Sequence, residues 1–139
     1  MLYRDFPTYK YQLLSDEFFQ TEIRPLQTIE EDFIVLDVTG SLHVKKGYCW
    51  DGPSGPTIDT KNFLRASLAH DALYQLMREQ RLTPIPNRET ADKLLHKLCL
   101  DAGMSKLRAW YVYKAVQIFG AKNALPAADK DFTTQRRAP

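Results

Sequence analysis

Apolar and polar positions along the chain change their period near the middle. Up to about residue 46 the apolar residues come in short runs that suit strands. Tyr9 to Leu13 alternates apolar and polar, and Phe18 to Ile23 is a second, weaker run. Phe33 to Val38 is apolar and β-branched, Thr39-Gly40-Ser41 is a turn, and Leu42 to Val44 returns, so a hairpin is expected here. From Thr60 onward the spacing becomes helical. Ala66, Ala69, Leu73, Leu76 and Met77 recur at steps of three and four, which predicts a helix from Thr60 to about Gln80 with that side in the core. Leu82 to Pro86 reads as a connection, with Asn87 capping a second helix that runs to Ala102. Its expected core face is Ala91, Leu94, Leu95, Leu98 and Ala102, and Gly103 stops it. Ser105 caps a third helix that ends at Gly120, with Leu107, Tyr111, Ala115 and Ile118 on one side. Strands followed by helices predict an α+β fold: an N-terminal antiparallel β-hairpin region, then a three-helix C-terminal half. The expected organisation is a single domain over residues 1–121 and a polar tail over 122–139.

Between these halves lies Gly47 to Tyr74, GYCWDGPSGPTIDTKNFLRASLAHDALY. Gly52, Pro53, Gly55 and Pro56 disfavour regular structure, and such a loop can turn its carbonyls toward one point. The helix after it carries His70, Asp71 and Tyr74. On a helix Tyr74 lies one turn beyond both His70 and Asp71, so a base, a carboxylate and a phenol share one edge. Asp92 lies early in the next helix. If the two helices pack antiparallel it approaches the first, and simple stagger puts it nearer Tyr74 than His70.

Composition narrows the classes. Of the 139 residues, 44% are hydrophobic and 26% charged, which is ordinary for a globular chain. A formal net charge of +2 without a basic stripe gives no reason to expect nucleic acid. Cys49 and Cys99 make neither a disulfide framework nor a metal-ligand spacing, and two buried thiols are the simpler expectation over one bridge. Arg4 and Asp5 stand where a signal peptide would be apolar, and no apolar run reaches spanning length. The expectation is a soluble protein made in a cytoplasm. Trp50 and Trp110 read as core or interface residues. His43 and His96 read as surface or edge residues without nearby partners, which disfavours the metal phosphohydrolases, whose sites need further histidines.

Residues 44–120 resemble the phage and prophage proteins grouped as domain of unknown function 1353. The matching pieces are Gly47-Tyr48, Trp50 to Ser54, His70-Asp71-x-Leu73-Tyr74, Arg88-x-x-Ala91-Asp92 and Val116 to Gly120. A shorter stretch is similar to the calcium loop and catalytic helix of secretory phospholipases and of the phospholipase domain in parvovirus capsids. It comprises Tyr48, Gly52, Gly55 and Pro56, then His70-Asp71-x-x-Tyr74, with Ala91-Asp92 on a second helix. This chain departs from the secretory enzymes by having Ala and Leu where they place cysteines, and Gly52-Pro53-Ser54-Gly55 in place of Gly-x-Gly.

The resemblance implies a calcium-dependent phospholipid esterase encoded by a phage and working in the host cytoplasm or from the virion. His70 would deprotonate a water, Asp92 would bond the far ring nitrogen, and Tyr74 would hold a carboxylate. Asp71 would supply charge to Ca²⁺, with carbonyls from Tyr48, Gly52 and Gly55 in other oxygen positions. The alternative is a non-enzymatic phage protein, a virion component or a factor that binds a host protein, in which His70 and Asp71 are a structural pair.

Overall fold

The computed structural model describes residues 1–5, 11–51 and 61–126. It is α+β as expected, with antiparallel strands preceding three helices. The described chain forms two compact units, one N-terminal and one helical, divided near Gly52–Pro53.

The N-terminal unit holds seven short strands: β1 (Tyr3–Asp5), β2 (Tyr11–Leu13), β3 (Glu17–Gln20), β4 (Ile29–Glu30), β5 (Ile34–Leu36), β6 (Ser41–Val44) and β7 (Cys49–Trp50). They make two sheets, ordered β1-β2-β7 and β3-β6-β5-β4. The expected hairpin is β5 and β6, paired with Ile34 opposite Val44 and Leu36 opposite Leu42. Its inward positions Ile34, Leu36, Leu42 and Val44 are buried, as a period of two requires. Asp37 starts the turn instead of ending the strand: its Oδ1 accepts from Thr39 N, Thr39 Oγ1 and Ser41 N at 2.9, 2.6 and 3.0 Å. These bonds hold the Asp37 carboxyl below its usual pKa range, the Thr39 side chain first. Gly40 sits at φ 87°, where a side chain would meet the Thr21 and Ile23 carbonyls, so glycine is required. The alternation at Tyr11 to Leu13 does not mark a half-buried strand, because all three residues are buried. Gln12 is accommodated by donating to the Gly47 carbonyl at 3.5 Å and accepting from Arg4 Nε at 2.5 Å.

The helical unit holds α1 (Lys61–Arg78), α2 (Pro84–Asp101) and α3 (Lys106–Phe119), followed by a 3-10 turn at Ala121–Ala124. The predicted core stripe of α1 is buried throughout. Gln80, at φ 61°, closes α1: its N–H bonds the Met77 carbonyl and the Arg81 N–H bonds the Leu76 carbonyl. In α2, Ile85 has extended angles (φ −109°, ψ 118°), so the regular helix begins only after it. Asn87 is therefore inside the first turn, with its amide donating back to the Thr83 carbonyl at 2.9 Å. The buried stripe of α2 is Ala91, Asp92, Leu95 and Cys99, one position round from the predicted face, and Ala102 is exposed. Gly103 (φ 96°) and Ser105, whose side chain accepts from Arg108 N at 3.3 Å, turn the chain into α3 as expected.

The packing of α3 overturns its predicted face. Ala109 and Val112 enter the core with Phe63, Ala66, Leu95, Cys99 and Met104, and Val116 packs against them. Leu107, Tyr111 and Ile118 are exposed. The helix is apolar on two sides, and the side with smaller residues is the one that lies against its neighbours. The ordered chain also continues beyond Gly120. Ala124 is buried and the Asn123 carbonyl accepts from Arg78 at 3.1 Å, while 127–139 of the expected tail lie outside the described residues. Both cysteines are free and buried, and burial pushes each thiol up to about 11.

Candidate functional site

α1 presents His70 and Tyr74 one turn apart, and their rings lie 4.2 Å apart between centroids, tilted by 32°. α2 packs against α1 and brings Asp92 to this edge. Asp92 Oδ1 is 2.7 Å from His70 Nε2 and 2.6 Å from the Tyr74 hydroxyl, so one carboxylate oxygen accepts both hydrogen bonds. Asp92 thus reaches both residues and does not lie with Tyr74 alone. Aspartate is short, so this needs closely spaced helices at Asp92.

The network is sealed from most solvent: His70 is 8% exposed and Asp92 1%. Burial works to lower the His70 pKa, but the Asp71 and Asp92 carboxylates outweigh it and the net direction is upward from 6.5. Burial, with the hydrogen bond to Asp92 second, pushes the Tyr74 phenol up, so it stays a donor across the neutral range. Asp71 follows His70 on the more exposed side, with Oδ1 3.9 Å from His70 Nδ1, an ion-pair distance beyond hydrogen-bond reach. His70 thus has one nitrogen held as a donor to Asp92 and the other directed toward Asp71. That arrangement fixes the tautomer and leaves Nδ1 to take a proton, the geometry a general base requires.

Two residues with no role assigned from sequence complete the surroundings. Arg88 lies one turn before Asp92. Its NH1 is 3.9 Å from Asp92 Oδ2 and donates to the Gln117 carbonyl of α3 at 3.2 Å. Gly120 ends α3 where a side chain would run into the Val116 carbonyl and stand 2.7 Å from the Tyr74 hydroxyl. The i,i+4 spacing of Arg88 and Asp92 was the available signal for the first; Gly120 was marked only as the end of α3, not as a neighbour of Tyr74.

Of the proposed calcium ligands, Asp71 belongs to the helical unit and Tyr48 to the N-terminal unit. Tyr48 is buried in the N-terminal unit, stacked on Trp50, and its carbonyl accepts from Leu13 N at 2.8 Å. Gly52 and Gly55 lie outside the described residues. Among the described residues no three His, Cys, Asp or Glu side chains group as a metal site.

The other histidines differ from expectation. His43 Nε2 is 2.9 Å from Asp16 Oδ2 and its ring stacks on Phe18 at 4.3 Å. His96 stacks on Tyr113 at 5.1 Å. Among the described residues no helix is long and apolar enough to cross a membrane.

A family model described as protein of unknown function (DUF1353) matches residues 27–116. No curated protein and no solved structure matches the chain.

Proposed function

The chain belongs to the DUF1353 family, and we propose that this member is an ester hydrolase with His70 as its general base. The observation that carries the reading is the single Asp92 oxygen accepting from both His70 Nε2 and the Tyr74 hydroxyl, at 2.7 and 2.6 Å. A carboxylate held by a tyrosine and orienting an imidazole is a costly thing to bury unless its parts are fully satisfied. In the reaction, His70 Nδ1 takes a proton from a water whose oxygen adds to the ester carbonyl. The tetrahedral intermediate then expels the alkoxide, which recovers the proton from His70, leaving acid and alcohol. Asp92 steadies the imidazolium that forms in between. Phospholipid esters are the substrate class that the phospholipase resemblance suggests, and phage or prophage origin would place the enzyme in the host cytoplasm or virion. Asp71 is the carboxylate of the site that would meet Ca²⁺.

The test is fatty-acid release from mixed phospholipid vesicles, with Ca²⁺ and with chelator, so that an ion requirement is read directly. Turnover by the wild type, abolished in His70→Asn while the fold is retained, supports the hydrolase. Asn keeps a hydrogen-bonding side chain but cannot take a proton near neutral pH.

The burial of His70 and Asp92 favours a second reading, a non-enzymatic virion or host-binding protein in which the network locks α1 to α2. Its signature is absent wild-type turnover together with a lowered melting temperature in His70→Asn, from a buried acceptor that loses one of its two donors.

A further inference from the structure

The strongest apolar stripe on α3 faces solvent. Leu107, Trp110, Tyr111 and Ile118 fall at spacings of three, four and seven, along one side of the helix, and all are exposed, Leu107 at 78% and Ile118 at 69%. Between Leu107, Trp110 and Tyr111 lies a shallow hollow of about 410 Å³, also lined by Ser105 and Arg108. The core is already closed by Ala109, Val112 and Val116 on the opposite side, so packing within the unit does not require the outer stripe.

The charged residues of α3 itself are all cations. Between Asp101 and Asp129 the chain carries Lys106, Arg108, Lys114 and Lys122 and no acidic residue. Lys114 stands on the same stripe, 6.0 Å over the Trp110 ring, and Lys106 is exposed at the head of the helix. A helix with an aliphatic and aromatic face bordered by cations alone suits an anionic surface with an apolar interior. Nucleic acid would use the cations and the rings, but it offers nothing to Leu107 and Ile118, the most exposed members of the stripe.

We infer that the outer face of α3 docks the protein on an anionic lipid bilayer, with Leu107, Trp110 and Ile118 entering the headgroup layer and Lys106 and Lys114 meeting lipid phosphates. The helix lies along the surface and does not span it. The inference is independent of turnover at His70.

The test is co-sedimentation of the full chain with vesicles of phosphatidylcholine alone and of phosphatidylcholine containing about one third phosphatidylglycerol. Binding to the anionic vesicles, weakened about tenfold in each of Leu107→Glu and Ile118→Glu, is expected. Lys106→Gln and Lys114→Gln should each weaken binding about fivefold. All four positions are exposed, and an unchanged melting temperature in each variant confirms that the fold is intact. Wild type that stays in the supernatant with anionic vesicles would overturn the inference, as would binding that ignores both Glu substitutions. So would sedimentation velocity showing a wild-type dimer that Leu107→Glu dissociates while vesicle binding persists, because the face would then belong to a second copy. Fatty-acid release plays no part in this readout, so the docking face and the His70 reading fail separately.

Discussion

Two histidine–aspartate pairs in this protein have nearly the same geometry and very different surroundings. His70 Nε2 and Asp92 Oδ1 are 2.7 Å apart with side chains 10% and 1% exposed. His43 Nε2 and Asp16 Oδ2 are 2.9 Å apart with side chains 27% and 44% exposed. Asp16 also accepts from the Lys46 backbone N–H at 2.8 Å, so both aspartates take two bonds. Distance alone would rank the pairs together. Burial separates them, because water stands ready to replace either partner of the exposed pair, whereas nothing replaces a partner lost from the buried one.

The sharpest way to break the comparison is to remove each aspartate. Asp92→Ala leaves His70 and the Tyr74 hydroxyl facing a buried void, and a loss of about 3–5 kcal/mol in denaturant unfolding is expected. Any hydrolysis should disappear with it, since His70 loses its orientation. Tyr74→Phe tests the shared acceptor more gently. It removes one of the two bonds to Asp92 Oδ1 and should cost about 1 kcal/mol, read as a shifted unfolding midpoint at unchanged slope.

Titration sharpens the contrast. The folded-state pKa of His70 lies above 6.5, so the folded chain holds that proton more tightly than the unfolded one. The stabilisation from this group is fully present below pH 6.5 and is lost as pH rises through the raised folded value. Thermal melts of wild type minus His70→Asn across that window should show the gap narrowing as pH rises. The acid limb of any His70-dependent rate should lie above pH 6.5 for the same reason. For Asp16 the sign reverses. The Lys46 N–H first, and then His43, hold its pKa below 3.8, so its contribution is present above 3.8 and lost as pH falls through the lower folded value. The smallest effect expected is Asp16→Asn at neutral pH, about 0–1 kcal/mol by thermal melt. A cost matching Asp92→Ala would show that burial is not what divides the pairs.

The legible parts of the molecule are those fixed by one element at a time. The β5–β6 hairpin follows from β-branched residues around a turn. Ser105 and Gly103 mark helix ends by their local bonding, and the core stripe of α1 follows from spacing. His70 and Tyr74 share an edge because a helix turns by about 100° per residue. His43, by contrast, lacks any local sign of Asp16, which lies 27 positions away and meets it only through the pairing of β3 with β6.

The order of strands and helices, the caps at Gly103 and Ser105 and the His70-Asp71-Tyr74 edge were determined by the amino-acid sequence itself, since each depends on backbone preferences within a few residues. Tertiary structure alone decided which side of α3 faces inward. Two apolar stripes compete there, and packing selects the smaller residues that let the helix sit close. It also decided that Asp92 serves His70 and Tyr74 together. Periodicity places a side chain around its own helix axis, but the rotation and stagger of one helix against another are settled only when their surfaces interlock.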